Sequence, residues 1–429
     1  MRGLRAPAAR RYFGTDGVRG VVGETLTPEL VEKLGKAVGI WSGGGRILVV
    51  RDTRASGVEL EGALARGIVS AGGTAALAGV LPTPAAALLR LDVGAVITAS
   101  HNPPEYNGVK FFDGDGMKLS DAGEEELERL LDADPGTDER GSVERVETAR
   151  EDYLAHVLEH FGSDLDGLRI GVDCANGSYS ELAPHAFERL GADVTAIGVE
   201  PDGTNINVRV GATDLSALQR TVIENGLDLG VAFDGDGDRM LAVDERGAIV
   251  DGDQIVAILA LDLEVDLVAV TVMANLGLHE LMRRHDIRVV TTDVGDRYVL
   301  EALEREGGLL GGEQSGHVIY LRDHVTGDGL AAGLLLAGAL RGRPLSEVAA
   351  VMQIFPQAKE NVRVETKELT SALLDEVARV NEEWSGTGRV LVRPSGTEPV
   401  VRVLAEARDA GAAEEACARI ATLVRRELG

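Results

Sequence analysis

Short runs of aliphatic and β-branched residues alternate along the chain with longer stretches whose apolar positions recur at helical spacing. Arg46-Ile-Leu-Val-Val-Arg51 precedes the helix-patterned Val58 to Ala71, and Gly94-Ala-Val-Ile-Thr98 precedes Gly123 to Leu131. This alternation predicts α/β units around mixed, mostly parallel sheets. A similar phrase occurs three times: Ile47-Leu-Val-Val-Arg-Asp-Thr-Arg54, Ile170-Gly-Val-Asp-Cys-Ala-Asn-Gly177 and Val268-Ala-Val-Thr-Val-Met-Ala-Asn-Leu-Gly277. Each is an apolar strand entering a small polar loop before a helix, so three related α/β domains are expected. The pattern then changes to strand Asn361 to Glu365, helix Leu369 to Glu383, strands Gly388 to Val392 and Val400 to Glu406, and a final helix, which reads as a smaller α+β domain. Breaks in the polar stretch Asp132 to Val146, the turn-rich Asp244 to Asp253 and the segment Gln357 to Asn361 divide the chain into expected domains at 1–146, 147–249, 250–358 and 359–429.

Composition narrows the function classes. The chain has 429 residues, 44% of them hydrophobic, enough apolar surface for several cores. Its 43 Lys and Arg against 70 Asp and Glu leave a net charge of −27, which repels a phosphate backbone and argues against nucleic acid as a partner. Cys174 and Cys417 lie far apart with no metal-binding spacing, and read as small buried residues in a reducing compartment. The apolar run Leu330 to Leu340 is too short to cross a bilayer and reads as a buried helix. No apolar stretch follows the arginines of the first dozen residues, so no secretory signal is expected and the cytoplasm is the expected location.

The segment richest in chemistry is Asp234-Gly-Asp-Gly-Asp-Arg239. Carboxylates at i, i+2 and i+4 separated by glycine can converge on one hard cation, Mg²⁺ or Ca²⁺. An EF-hand is set aside, because its sixth position should be glycine and is Arg239, and the flanks read as strands. The competing reading is a solvated Asp-Gly hairpin, as expected for Asp113-Gly-Asp-Gly116. Thr98-Ala-Ser100-His-Asn-Pro103 places a serine and a histidine just beyond a strand, where α/β proteins seat ligands, without the Gly-x-Ser-x-Gly elbow of a hydrolase. Lys110 would act as a general acid or base if burial and neighbours lower its pKa. Arg393-Pro-Ser395-Gly396-Thr397, followed by Arg402, supplies two guanidinium forks, two hydroxyls and an approachable backbone, the parts of a phosphate clamp and equally of a plain turn. Gly312-Glu313-Gln-Ser315-Gly-His317 offers groups suited to reading sugar hydroxyls.

With Phe13-Gly-Thr-Asp-Gly-Val-Arg19-Gly20 and Val294-Gly-Asp-Arg-Tyr298, these segments form six ordered motifs nearly end to end, and together they resemble the α-D-phosphohexomutase superfamily. The first and Val294 motifs resemble its glucosamine branch rather than the glucose or mannose branch. The resemblance implies four domains around a cleft and a mutase that interconverts 6- and 1-phosphates of glucosamine through a phosphoserine, with a bisphosphorylated sugar as intermediate or activator. It implies Ser100 as phosphoserine, with one Mg²⁺ per chain on Ser100, Asp234, Asp236 and Asp238. Glu313 and Ser315 would contact the sugar, and Arg393, Ser395, Gly396, Thr397 and Arg402 the distal phosphate. Lys110 and His317 would give acid and base help, and Arg19 and Arg239 would stabilise charge. The partners implied are sugar phosphates, with no nucleic acid or membrane, for a monomer or homodimer. A phosphoglucomutase or phosphomannomutase is the alternative within the superfamily; a non-catalytic sugar-phosphate binder is the alternative outside it, expected to lack Ser100 or one of the three aspartates.

Overall fold

A computed structural model describes residues 11–14, 16–89, 91–134, 136, 140–395 and 399–429. The chain divides into two compact units, one of residues 1–273 and 287–351 and one of residues 274–286 and 352–429.

The first unit holds three sheets, and the thrice-repeated phrase occupies the same place in each. In the seven-stranded sheet, Arg46–Arg51 runs parallel between Thr74–Val80 and Val93–Ile97, and Val93–Ile97 pairs on its other side with the antiparallel Tyr106–Phe112. In the five-stranded sheet, Arg169–Asp173 lies parallel between Asp193–Ile197 and Leu229–Phe233, beyond which Met240–Asp244 is antiparallel. In the four-stranded sheet, Leu267–Thr271 lies parallel between Arg288–Thr292 and Leu310–Gly312, beyond which Val318–Tyr320 is antiparallel. The three expected α/β repeats therefore share one topology. The central strands are apolar and buried at nearly every position, as two covered faces require.

One connection is common to all three sheets: the loop leaving the carboxyl end of the last parallel strand and returning as the antiparallel one. In the first sheet it carries Ser100, in the second Asp234 to Arg239, in the third Glu313 to His317. Ligands bind beyond the carboxyl ends of strands in open α/β sheets, so chain topology alone collects these loops at corresponding positions. The third also touches the second directly. The Met240 N–H donates to the Gly316 carbonyl at 2.9 Å, and Gly316 has a φ of 94°. A Cβ at Gly316 would overlap the Met240 carbonyl, so only glycine permits this approach.

The helix Gly329–Leu340 is buried along nearly its whole length, as its apolar run predicts. Asp328 caps it by accepting the Leu330 and Ala331 N–H groups, and also receives the Tyr153 and Tyr179 hydroxyls at 2.7 and 2.8 Å. Both cysteines are buried and unlinked.

The second unit has an antiparallel sheet in the order Gln357–Arg363, Val400–Ala407, Gly388–Pro394, with helices Ser371–Glu383 and Ala410–Leu428. This is the expected α+β module, with two differences. Its first strand starts at Gln357, inside a segment read as a linker, because the polar Gln357-Ala-Lys-Glu-Asn sequence forms an edge strand, where one side of the backbone needs no partner. Helix Leu276–Arg284, inside the stretch expected to be a third α/β domain, belongs to this unit. Asn275 Nδ2 donates to the Phe355 carbonyl at 3.0 Å, and the Leu276 N–H donates to buried Glu406 at 2.8 Å. In the first unit, strand Ser142–Arg145 lies within the polar stretch read as a boundary and pairs parallel with Thr74–Val80.

Candidate active site

Ser100 is almost fully buried and has a φ of 50°, a left-handed conformation unusual for serine. Its hydroxyl donates to Asp234 Oδ2 at 2.6 Å and lies 3.2 Å from His101 Nδ1. The adjacent serine and histidine thus come within reach of each other, but the shorter contact of the hydroxyl is to a carboxylate. Burial, reinforced by the positive charges of Arg239 and Arg19, lowers the His101 pKa to about 4.

The Asp234 loop brings its three carboxylates together, with ligand atoms within 4.8 Å of one another. Asp234 Oδ1 shapes the loop by accepting the Gly237 and Arg239 N–H groups at 3.1 and 3.2 Å. Gly237, at a φ of 78°, lies against the Tyr179 ring where a Cβ would collide. Asp236 Oδ2 accepts the Thr83 hydroxyl at 2.7 Å and the Lys110 ammonium at 2.9 Å. Asp236 Oδ1 and Asp238 Oδ1 are buried without a hydrogen-bond donor among the described residues. Burial and the charges of Asp236 and Asp238 push the Asp234 carboxyl well above the usual range. A set of oxygen donors only, with two oxygens unsatisfied and the carboxylates repelling one another, suits a hard divalent cation, which would satisfy the lone pairs and remove the repulsion. The solvated-hairpin reading does not hold for these buried aspartates, whereas Asp113-Gly-Asp-Gly116 does form a turn, with Asp113 accepting the Asp115 and Met117 N–H groups.

Around the carboxylates runs a closed ring of alternating charge. Asp16 contacts Lys110 at 3.2 Å, Lys110 contacts Asp238 at 3.5 Å, and Asp238 faces His317 Nδ1 at 3.8 Å. His317 Nε2 faces Asp296 at 3.4 Å, Asp296 pairs with Lys118 at 2.6 Å, and Lys118 returns to Asp16 at 2.9 Å. Burial opposes every ion in the ring, and the opposite charges outweigh it. Lys110 and Lys118 hold Asp16 well below the usual carboxylate range, while Lys110 and His317 do the same for Asp238. Asp296 and Asp238 raise His317, and Asp16, Asp236 and Asp238 raise Lys110. The lowered lysine pKa that would make Lys110 an acid or base is thus reversed: three carboxylates fix it as a cation, which donates hydrogen bonds and neutralises charge. Arg19 pairs with Asp16, and the Arg239 guanidinium lies 3.9 Å from Asp238.

Glu313 is buried and accepts the Gly295 N–H at 3.0 Å, which joins two of the sequence motifs, while Ser315 is exposed at the turn of its loop. In the second unit, Arg393 and Arg402 are directly opposite each other on antiparallel strands, so both side chains stand on one face. Like charges so placed repel and favour a shared anion. Ser395 is buried, and its carbonyl accepts the Lys367 ammonium at 2.8 Å. Gly396 and Thr397 lie outside the described residues.

The ring members Asp16, Lys118 and Asp296 carried no role in the sequence reading. Two signals pointed to them: Asp16 and Asp296 sit inside motifs, and Lys118 is one of only six lysines.

Comparison with known proteins identifies the domains. Models of the phosphoglucomutase/phosphomannomutase family match as alpha/beta/alpha domain I over residues 10–136, domain II over 151–247, domain III over 251–355 and the C-terminal domain over 360–423. The chain belongs to this family. Members similar in sequence include the phosphoglucosamine mutase of Moorella thermoacetica, 49% identical with 93% of this chain and 96% of that protein covered. The phosphoglucosamine mutase of Bacillus subtilis is 46% identical, with 98% and 99% covered. Among solved structures, a phosphoglucomutase/phosphomannomutase family protein from Burkholderia thailandensis matches with a TM-score of 0.84 and 27% identity, covering 96% of this chain and 97% of that one.

Proposed function

We propose that the chain interconverts glucosamine 6-phosphate and glucosamine 1-phosphate by way of a phosphoryl group carried on Ser100. It is an isomerase of the phosphohexomutase superfamily, a mutase acting on sugar phosphates. The glucosamine specificity is supported by the 46–49% identity to phosphoglucosamine mutases across nearly the whole chain, against 27% for the general family member of solved structure. The enzyme is assigned to the cytoplasm and acts as monomer or homodimer; no helix among the described residues is long and apolar enough to cross a membrane.

The observation that carries the mechanism is the buried Ser100 hydroxyl 2.6 Å from Asp234, within a carboxylate cluster that holds unsatisfied oxygens and is ringed by cations. Asp234, Asp236 and Asp238 would hold one Mg²⁺ together with an oxygen on Ser100; when bound, the ion supplies counter-charge to the phosphoryl oxygens. Ser100 gives its phosphoryl group to the C1 hydroxyl of the 6-phosphate sugar. The resulting bisphosphate turns over and returns its 6-phosphoryl group to Ser100. As the C1 hydroxyl is phosphorylated it gives up its proton and the Ser100 oxygen takes one up, with His317 as the group that passes it, while Lys110, held as a cation, joins Arg19 and Arg239 in facing charge that builds on the transferring group. Glu313 and Ser315 read sugar hydroxyls. Arg393, Ser395, Gly396, Thr397 and Arg402 hold whichever phosphate is not reacting, an assignment supported by the side-by-side Arg393 and Arg402.

The test is a coupled assay of wild type and Ser100→Ala with the 6-phosphates of glucosamine, glucose and mannose. The expected result is a higher kcat/KM for glucosamine 6-phosphate than for either other sugar, and almost no turnover in Ser100→Ala. Equal use of the three sugars would remove the specificity, and wild-type turnover in Ser100→Ala would remove the mechanism.

A further inference from the structure

Arg54 is almost fully buried, yet it lies beyond the strand Arg46–Arg51 in a loop to which the catalytic reading gives no part. A guanidinium has five N–H donors, and each of Arg54's finds an oxygen. Nε donates to Asp52 Oδ2 at 2.9 Å. One terminal nitrogen donates to the Ser100 and Asn102 carbonyls at 2.9 and 2.8 Å. The other donates to the carbonyls of Pro103 and Tyr106, the latter at 2.9 Å. Three of the five acceptors are therefore carbonyls of the loop that carries Ser100, and a fourth belongs to Tyr106, where that loop enters the next strand.

The same assembly grips the other backbone group of Ser100. Its N–H donates to Thr98 Oγ1 at 2.9 Å, and the Thr98 hydroxyl donates to Asp52 Oδ2 at 2.7 Å, the atom that Arg54 Nε also reaches. Asn207 Nδ2 from the second repeat adds a bond to the Ser100 carbonyl at 2.9 Å. A residue in a left-handed conformation persists where the surroundings over-determine it, and here the N–H and C=O of Ser100 are both fixed by buried groups.

We infer that Arg54, acting through Asp52 and Thr98, is a positioning residue for phosphoryl transfer: it holds Ser100 in the left-handed conformation that turns Oγ toward Asp234. Arg54 touches neither substrate nor metal. Lysine, with three donors and no planar fork, cannot bind the same set of carbonyls. The inference rests on Ser100 being the phosphoryl carrier.

The experiment uses the full-length enzyme with Mg²⁺, assayed with glucosamine 6-phosphate, and follows Ser100 phosphorylation by glucosamine 1,6-bisphosphate through intact mass. Displacing a reacting group by about 1 Å costs on the order of 100-fold, so Arg54→Lys should lose about that factor in kcat with KM nearly unchanged, and Ser100 labelling should slow in parallel. A merely structural role would not confine the loss to kcat and labelling. Arg54→Lys with wild-type kcat and labelling overturns the inference. If Arg54→Lys does not fold, Thr98→Val and Thr98→Ser decide. Valine should slow turnover and labelling and serine should restore both, whereas equal rates in the two overturn the inference. Wild-type enzyme that turns over with Ser100 never labelled overturns the reading of the site itself, and the inference with it. Labelled wild type with unaffected variants overturns the inference alone.

Discussion

Lys110→Met removes a side chain that contacts Asp16, Asp236 and Asp238 together, at 3.2, 2.9 and 3.5 Å. At an effective dielectric near 20, each contact has a Coulomb energy of about 5 kcal/mol, most of it offset by the cost of burying the charges. Removing one partner of a buried ion pair costs about 3 to 5 kcal/mol in measured cases, because the remaining charge is left uncompensated. Without a divalent cation, Lys110→Met should be destabilised by that amount, since the aspartates lose their main counter-charge. Saturating Mg²⁺ binds the folded state and supplies a replacement charge, so the deficit should shrink to less than about half. Thermal and guanidinium unfolding of wild type and variant, each in chelator and in saturating Mg²⁺, reads both quantities. The same loss in chelator and in Mg²⁺ would show that Lys110 and a cation do not share these carboxylates. A loss below about 1 kcal/mol in chelator would refute the buried charge network itself.

Arg393→Ala should lower kcat/KM for glucosamine 6-phosphate and glucosamine 1-phosphate by similar factors, about 30- to 150-fold for a lost charge-assisted contact of 2 to 3 kcal/mol. It should also release more bisphosphate per turnover; impairment in one direction only, with no added release, would contradict a clamp that serves both half-reactions. In the second unit, burial and the nearby Arg389 lower the His279 pKa to about 4. Its folded pKa lies below the unfolded value near 6.5, so the unfolded chain takes up the proton first; stability is intact above pH 6.5 and falls as the pH drops from there toward 4. His279→Gln should therefore flatten the acid limb of stability against pH by up to about 3 kcal/mol at full burial, less as solvent reaches the ring. An unchanged acid limb would show that His279 is not responsible.

The repeat was legible because a strand buried on both faces must be apolar along its length, and a polar loop at its end marks where the chain leaves the sheet. The Asp234 loop announced itself by three glycine-separated carboxylates at i, i+2 and i+4, whereas the two of Asp113-Gly-Asp-Gly116 mark only a turn. What the sequence hid was pairing across distance. Lys118 meets Asp16 and Asp296 across separations of 102 and 178 residues, and neither pairing leaves a periodic trace. Arg54 stayed silent for a related reason. Its acceptors are backbone carbonyls, which every residue type supplies, so nothing in the composition of the Ser100 loop records the contact. The pKa of Lys110 follows from the same gap, since burial and charge compete and only the three-dimensional count of carboxylates decides the direction. Helix Leu276–Arg284 reads locally as part of the third repeat, and its placement turns on Asn275 and Glu406, 131 positions apart by their numbers.

Ser100 as the carrier is tested most directly by a chase of the labelled enzyme. Wild-type protein phosphorylated at Ser100 with radiolabelled phosphate is mixed with excess unlabelled glucosamine 6-phosphate and quenched across the first turnovers. The label should leave the protein at a rate no slower than kcat and appear in the bisphosphate and in glucosamine 1-phosphate. Label that stays on Ser100 while unlabelled glucosamine 1-phosphate accumulates would contradict transfer through this serine.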